Sequence, residues 1–486
     1  MNKSLRETGL HGLSWAFASR VGGQAFQLAF SIVLARLLTP EEFGIIGMLL
    51  VFTGFAQTLA DFGLSSALIQ NQAVAEIHRS TAFWLQSAAG LVLCVVFFVG
   101  APYVAQFYST PVLEPLTRLV SCVFPIQAIG LTHYALLTKE FRFRALAVAT
   151  FASTIVSGIV AVMLAWRGYG VWALAWQPII ATGSLTAFWW LQSGWRPRLL
   201  FGRQAAVQMG SYGIYLLGHA TINYWLRNGD KLIIGKLLGS YPLGIYSRAY
   251  TLMLLPLNNI SGVFGQVMFP VLARMQDDLP RFRRAYLKAT QFIALIAFPM
   301  MFGLAALSAP IILMLLGEKW RDVIPVFRVL SFVGLVQSII FPVAWIFTSL
   351  GRTKAQFQLS VGFAAAFAVA MGIGVQYGIM GVTYAYAAWT LVAALGNLHV
   401  AGGYIGLSAG QSLLAVSRIF LMAAIMGSIV FGTDALISNA WPAAARAGVG
   451  TLVGVLSFVA LCLVSRDATF AEFVQIAAAR LRGRRA

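Results

Sequence analysis

Residues 32–45 read IVLARLLTPEEFGI, and residues 232–245, which lie 200 positions later, read LIIGKLLGSYPLGI. Each copy runs from three aliphatic residues through a small residue, a cation and Leu-Leu, across a short polar break, to Gly-Ile. A match this short also arises by chance in an apolar chain. It indicates an internal duplication only if other pairs of motifs recur at a similar spacing.

The composition is that of a membrane protein. Of the 486 residues, 59% are hydrophobic and 10% are charged, whereas soluble domains are roughly 45–50% apolar and about 25% charged. A helix of about 20 apolar residues spans the hydrocarbon core. Cutting the chain at Pro, Gly and charge clusters predicts about fourteen such segments, near residues 13–37, 43–69, 82–107, 112–137, 146–165, 170–192, 207–238, 243–270, 287–316, 323–349, 356–377, 380–403, 413–432 and 443–464. The first run is too long for a signal peptide and is read as the first span.

The net charge of +19 fits the excess of Lys and Arg in cytoplasmic loops. With the N-terminus inside, about 20 of the 34 Lys and Arg residues fall on the cytoplasmic side. We therefore expect a multi-pass protein with both termini cytoplasmic and a basic tail that contacts anionic membrane lipids. Because no soluble basic domain is present, we expect no nucleic-acid partner.

Two common motifs for enzyme chemistry are absent from the sequence. It contains no phosphate-binding loop of the form G-x-x-x-x-G-K-[ST] and no H-E-x-x-H. Cys94, Cys122 and Cys462 fall in separate predicted spans, and the His residues lack metal-ligand spacing. We therefore expect a carrier that is not an enzyme, with no metal and no cofactor; coupling to H⁺ or Na⁺ stays open.

Two further matches support the duplication. The pattern P-x-x-R-x-x-S occurs at residues 115–121 and again at residues 325–331, and Gly-Val occurs at residues 170–171 and 381–382. Each match pairs span n with span n+6, so the copies are parallel repeats, an architecture found in transporters. We predict two six-helix bundles in residues 1–200 and 201–404, two additional spans in residues 405–465, and a basic cytoplasmic tail in residues 466–486.

Such a repeat predicts a cavity between its halves, lined by the polar residues of the spans, since ionisable groups in hydrocarbon face an interior. Four spans carry polar stripes at helical spacing: the first, second, seventh and eighth. The candidate cations for substrate binding are Arg20, Arg227, Lys231 and Arg248. Asp61 and Asp230 are coupling or structural acids, and the other cavity candidates are Gln24, Gln27, Gln57, Asn223 and Asn258.

The segment RNGDK, Arg227–Lys231, is open to three interpretations. The residues line a cavity and attract an anion; or Arg227 and Asp230 form an ion pair that only holds two helices; or the seventh span ends early and the segment is an outer loop. The repeat alignment places the segment at mid-helix, where Asn-Gly weakens a helix. For Arg20 and Asp61 two interpretations are open: they form a charged pair that only holds neighbouring helices together, or they have a functional role.

Several longer motifs resemble a known family. They are ARLLTPEEFG at Ala35–Gly44, DFGLSSALIQ at Asp61–Gln70, KEFRF at Lys139–Phe143, DKLIIGKLLG at Asp230–Gly239 and GIYSRAY at Gly244–Tyr250. Together they are similar to the polysaccharide transporter family, the Wzx-type flippases of the multidrug/oligosaccharidyl-lipid/polysaccharide exporter superfamily, and most of all to its colanic acid exporter branch. The resemblance implies a fold like that of the MATE transporters.

The resemblance also implies a function. Such proteins translocate an undecaprenyl-diphosphate-linked oligosaccharide across the bacterial inner membrane by alternating access, for lipopolysaccharide or exopolysaccharide biosynthesis, usually beside a polymerase and a chain-length regulator. Arg suits a diphosphate because its planar fork binds such groups bidentately. The alternative is a MATE-like, ion-coupled antiporter of organic cations or drugs, which needs acidic residues in its cavity. A membrane scaffold without transport activity is a third class.

Overall fold

The structure, a computed structural model, describes residues 22–61, 63–70, 75–437 and 441–482. These residues form helices and short connections, and no strand occurs among them. The helices are α1 (22–37), α2 (Pro40–Ala60), α3 (Leu64–Gln70), α4 (Glu76–Tyr108), α5 (Leu113–Ser121), α6 (Val123–Lys139), α7 (Phe143–Trp166), α8 (Val171–Ser193), α9 (Arg203–Leu237), α10 (Ser240–Ala273), α11 (Leu279–Ala306), α12 (Ser308–Leu315), α13 (Val323–Ile340), α14 (Val343–Ser349), α15 (Thr353–Gly374), α16 (Gly378–Tyr404), α17 (Ala409–Leu436), α18 (Ala443–Val464) and α19 (Ala468–Arg482).

Within the described residues each predicted span corresponds to one long helix or to two consecutive helices, and residues 13–21 of the first predicted span lie outside them. The second span is α2 with α3, the fourth is α5 with α6, the ninth is α11 with α12, and the tenth is α13 with α14. In the described residues, nine stretches are long and apolar enough to cross a membrane, one of which contains both α15 and α16. The predicted all-α polytopic fold is confirmed.

Local sequence explains where several helices begin. At the start of α2, Thr39 accepts a hydrogen bond from the Glu42 amide while the Glu42 carboxylate accepts one from the Thr39 amide, and Pro40 occupies the first helical turn. Ser408 and Gln411 form the same reciprocal cap at the start of α17. Such caps satisfy amide donors that a helix start leaves without partners.

The chain divides into two compact units, residues 1–244 and 245–486. In the first unit α4, α6 and α8 pack together, α7 packs on α8, and α9 packs on α2, α3 and α4. In the second unit α11 packs on α13 and α17, and α13 packs on α16. The seventh span therefore belongs to the first compact unit, and the division falls inside α10, later in the chain than the expected boundary of the repeat at 200.

The two copies of the opening motif meet in the first unit. A Cβ atom placed on Gly44 would lie 1.7 Å from the Ser240 carbonyl oxygen, and one placed on Gly244 would lie 1.9 Å from the Pro40 carbonyl oxygen. The contact is reciprocal, because residues 40 and 44 face residues 240 and 244 at the same 200-residue offset. Only glycine permits this closeness of α2 and the first turn of α10.

The connection from α8 to α9, residues 194–202, is tied to the start of α4. Trp195 donates its indole N–H to Glu76 Oε1 at 2.8 Å, and the Gly202 amide donates to Thr81 Oγ1 at 2.9 Å. These bonds satisfy polar groups at a helix end. They also fix where α9 begins relative to α4.

The C-terminal segment is more ordered than a tail. Residues 468–482, which fall in the segment expected to be a basic tail, form α19. This helix packs on α11, where Lys288 lies 2.5 Å from Glu472 and the rings of Phe292 and Phe473 are 6.3 Å apart. The last basic residues, 483–486, lie outside the described residues.

Candidate functional site

The RNGDK segment is part of an unbroken helix. α9 runs from Arg203 to Leu237 and includes all five residues, so the interpretation as an outer loop is wrong. Asn228 supports the helix at its weakest point: its Nδ2 donates to the Tyr224 carbonyl at 3.0 Å, and its Oδ1 accepts from Lys231 Nζ at 3.1 Å. These bonds offset the low helix propensity of Asn-Gly.

Arg227 is exposed, and it lies in the interior of α9. It stands about ten residues, or about 15 Å, before the end of the helix at Leu237. An exposed guanidinium is costly against lipid and is stable where it faces water or a polar ligand.

Asp230 and Lys231 differ from Arg227 in burial. Asp230 is buried, with 2% of its surface exposed, and its Oδ1 accepts from the Lys231 amide at 2.8 Å. Lys231 is half-buried. The most accessible charged residue of this segment is therefore a cation, Arg227.

Packing of α9 on α2 fixes the direction in which this segment faces. The Tyr224 hydroxyl donates to the Val51 carbonyl at 2.7 Å and lies over Gly54, where a Cβ would be 2.7 Å from the hydroxyl oxygen. Phe55 packs on the rings of Tyr224 and Trp225, with centroids 5.7 Å and 5.2 Å away. These two aromatic residues are thus used in helix packing.

The polar stripe of the second span contains a hydrogen-bond network centred on Asp61, which is itself half-buried. Asp61 Oδ1 accepts from the Ser65 amide at 3.1 Å, from Ser65 Oγ at 2.6 Å and from Gln86 Nε2 at 2.9 Å. Gln86 Oε1 accepts from Thr132 Oγ1 at 2.7 Å. Gln86 and Thr132 are fully buried and Ser65 is 5% exposed. The network joins the α2–α3 break to α4 and α6.

Sequence reasoning missed Gln86 and Thr132. They lie in two different spans, and 46 positions separate them, so no helical period connects them. The only signal was the cost of placing a glutamine in hydrocarbon, which implies a polar partner.

The remaining candidates differ in their burial. Gln24 and Gln57 are half-buried, Gln27 is exposed, Arg20 lies outside the described residues, and so does the side chain of Asn223. Two candidates belong to the second unit. There Arg248 lies over the Trp320 ring, 5.9 Å from its centroid, and Asn258 is exposed. Within the first unit the structure joins Asp61 to Gln86, and Lys231 to Asn228.

The helical architecture, with nine stretches in the described residues that are long and apolar enough to cross a membrane, defines a multi-pass membrane protein. The chain is similar in structure to the lipid II flippase MurJ in its inward closed conformation, with a TM-score of 0.77 over 93% of this chain and 99% of that chain, at 16% identity. It is also similar to an inward-facing multidrug resistance MATE family transporter of the MOP superfamily, with a TM-score of 0.59 over 82% and 94%, at 14% identity. Likenesses at this identity show the fold.

Family membership follows from the sequence itself. Residues 33–325 match the family described as polysaccharide biosynthesis protein, which is more than half of the chain, and the chain belongs to that family. It is 26% identical to the teichuronic acid biosynthesis protein TuaB of Bacillus subtilis, over 96% of this chain and 97% of TuaB. It is 28% identical to the lipopolysaccharide biosynthesis protein WzxC of Escherichia coli, over 79% and 78%. The resemblance inferred from the motifs is confirmed.

Proposed function

We propose that this protein is a flippase that moves an undecaprenyl-diphosphate-linked oligosaccharide from the inner to the outer leaflet of the bacterial inner membrane by alternating access. Relatives named for the biosynthesis of teichuronic acid and lipopolysaccharide support a polysaccharide precursor as the cargo. The MurJ-like fold supports a lipid-linked one. The observation that carries the proposal is the exposed guanidinium of Arg227 in the interior of the continuous helix α9.

The chemistry of the cargo matches this site. A diphosphate is a dense anion, and a guanidinium fork binds its oxygens bidentately with charge-assisted hydrogen bonds. Lys231, four residues and about one helical turn along α9, adds a second cation on the same face of the helix. In the proposal Arg227 and Lys231 hold the diphosphate, and Arg20 and Arg248 stay further candidate cations.

Burial argues against the runner-up, an antiporter of organic cations. Such a carrier needs an accessible carboxylate, but Asp230 is 2% exposed and one oxygen of Asp61 already accepts three hydrogen bonds. The accessible charge in α9 is positive. An anionic cargo fits that arrangement better than a cation.

The test is transport by proteins with altered α9 cations. We expect Arg227→Ala and Lys231→Ala each to remove charge-assisted contacts of about 1.5–3 kcal/mol, a loss of about 10- to 150-fold in affinity. The measurements are flipping of a labelled undecaprenyl-diphosphate oligosaccharide in proteoliposomes, and polymer export in cells per folded molecule. Arg203→Ala is the matched control, since it removes the same charge from the exposed first residue of the same helix.

Three outcomes separate the alternatives. Undiminished export by the Arg227→Ala/Lys231→Ala double variant refutes the site. Low abundance of Arg227→Ala that Asp230→Ala restores supports a purely structural ion pair. The third outcome comes from cells in which the gene for this protein is deleted. Altered dye efflux with normal polymer export refutes the flippase, whereas accumulation of lipid-linked sugar on the cytoplasmic face of the membrane supports it.

A further inference from the structure

We propose that the connection between α8 and α9, residues 194–202, binds an anionic phospholipid of the leaflet on the side that the charge distribution predicts to be cytoplasmic. Arg198 binds the phosphate of the headgroup, and Leu199 and Phe201 enter the boundary of the acyl chains. The inference is independent of the proposed function, because no step in it involves the cargo.

This connection exposes large apolar side chains in a row. It reads GWRPRLLFG at Gly194–Gly202. The exposed fractions are 90% for Leu199, 40% for Leu200 and 61% for Phe201. Apolar surface in water costs free energy in proportion to its area, and a contiguous exposed apolar patch marks contact with a membrane or another molecule.

Hydrogen bonds to α4 hold the backbone on both sides of these side chains. Trp84 donates its indole N–H to the Arg198 carbonyl at 2.9 Å, and the Arg198 amide donates to Ser80 Oγ at 3.3 Å. The Gly202 amide donates to Thr81 Oγ1 at 2.9 Å. The apolar side chains are therefore presented outward by an ordered backbone.

The same bonds place the connection beside the start of a membrane span. Its partners in α4 lie within the first nine residues of Glu76–Tyr108, a helix long and apolar enough to cross a membrane. The 33 residues of that helix extend about 50 Å, whereas a whole bilayer with its headgroups is about 40–45 Å thick. By length, the first turns of α4 belong to the headgroup layer. The connection therefore runs alongside that layer.

A second connection shows the same combination at the same level. α6 and α8 run side by side in one direction, because His133 Nδ1 lies 2.7 Å from Ser193 Oγ and other bonds also join residues 60 or 61 positions apart. At this offset Phe141, after α6, is level with Phe201. Phe141 is 77% exposed and has φ 56°, at a helix end where glycine is usual. A bilayer meets every connection on one face of a protein, so it accounts for both exposed aromatic residues.

The charges favour an anionic headgroup. The Arg198 guanidinium is exposed, and in the described part of the chain it has no hydrogen-bond or ion-pair partner. Its planar fork is therefore available for a phosphate. Arg196 differs, because it donates to the carbonyls of Trp190 and Trp195 at 3.1 Å and 2.8 Å. Residues 139–144 and 194–202 carry one acid, Glu140, and five cations: Lys139, Arg142, Arg144, Arg196 and Arg198. Such a balance attracts anionic lipids.

The first experiment locates the connection relative to the bilayer. A nitroxide spin label is attached at Leu199→Cys, and in a second variant at Phe141→Cys, after Cys94, Cys122 and Cys462 are replaced by Ala. In vesicles of phosphatidylcholine with phosphatidylglycerol, we expect both labels to be more accessible to oxygen, which dissolves in lipid, than to a water-soluble nickel complex. A label at Gln276→Cys, in the exposed turn after α10, is the control and should show the reverse.

The second experiment keeps the native cysteines and measures lipid binding at Trp84, which is 38% exposed. Its fluorescence is the difference between each protein and the same protein with Trp84→Phe. We expect phosphatidylglycerol with brominated acyl chains to quench it at about fivefold lower concentration than brominated phosphatidylcholine. Arg198→Ala should remove that preference. Arg274→Ala, which removes an exposed cation after α10, is the matched control and should retain it.

Three results would overturn the site. A label at residue 199 that is as accessible to the nickel complex as the label at 276 would show that the connection faces water, where only a soluble partner could cover it. Equal quenching by the two lipids in the wild type would show lipid contact without a site for an anion. A preference that Arg198→Ala retains would show that another cation binds the phosphate. Because neither experiment contains the cargo, failure of this site and failure of the proposed function are distinguishable.

Discussion

Replacing Gly244 with alanine tests the close crossing of α2 and α10. The new methyl carbon would lie 1.9 Å from the Pro40 carbonyl oxygen and 2.8 Å from its carbonyl carbon. Carbon–oxygen contacts are normally about 3.3–3.6 Å, so the two backbones must separate by more than about 1 Å. Both obstructing atoms belong to the backbone, and no rotamer change relieves the contact.

The magnitude follows from two opposing terms. Overpacking of a tight contact costs about 1–3 kcal/mol, and a rigid backbone neighbour places this case at the upper end. Alanine gains about 1 kcal/mol in helix propensity over glycine. The expected net loss in the free energy of unfolding is therefore about 2 kcal/mol for Gly244→Ala.

The matched control is Gly303→Ala in α11, where a Cβ would meet no atom within 4 Å. That variant should gain up to about 1 kcal/mol, which sets the two variants about 3 kcal/mol apart. The assay is unfolding of the purified proteins in detergent. Gly44→Ala combined with Gly244→Ala should cost less than the sum of the two, since they open the same crossing. Equal stability of Gly244→Ala and Gly303→Ala would refute the reasoning.

Three further predictions concern other parts of the chain. Asp434 and Arg446 form a bidentate pair at 2.9 Å between α17 and α18, with 12% and 14% of their side chains exposed. Arg446→Ala should lower the free energy of unfolding by about 3–5 kcal/mol, and adding Asp434→Ala should recover part of that loss. Tyr224→Phe should cost about 0.5–1.5 kcal/mol by the same measurement, since it removes the bond to α2. Reporter fusions at Ala486 and at Gln276 should be active only in the cytoplasm, and activity outside would contradict the fourteen-span topology.

The location of the spans could be predicted because a helix that crosses the hydrocarbon core needs a long apolar run, and charged residues mark where each run ends. The polar stripe of α9 could also be predicted from the sequence, since its residues recur at helical spacing. The continuity of α9 through Asn228 could not be predicted, because hydrogen bonds to Tyr224 and Lys231 outweigh the low helix propensity of Asn-Gly.

The network around Asp61 shows a different limit. Asp61 and Ser65 are four positions apart, a spacing that any helical period reveals. Gln86 and Thr132 come from two other spans, and nothing in a single sequence states which spans touch. For α19 the signal was present, in Phe470, Phe473 and Val474 at helical spacing, but it was obscured by the basic residues around it.

The reciprocal glycine contact also bears on how this chain arose. A parallel repeat derives from two copies of one sequence, and in a symmetric pair of identical molecules each interface position faces a partner position reciprocally. In this chain the closest atoms of the crossing, the carbonyl oxygens of Pro40 and Ser240, occupy equivalent positions, and so do the two glycines that face them. The crossing therefore has the reciprocal form of an interface between two identical molecules, although both of its sides belong to one polypeptide.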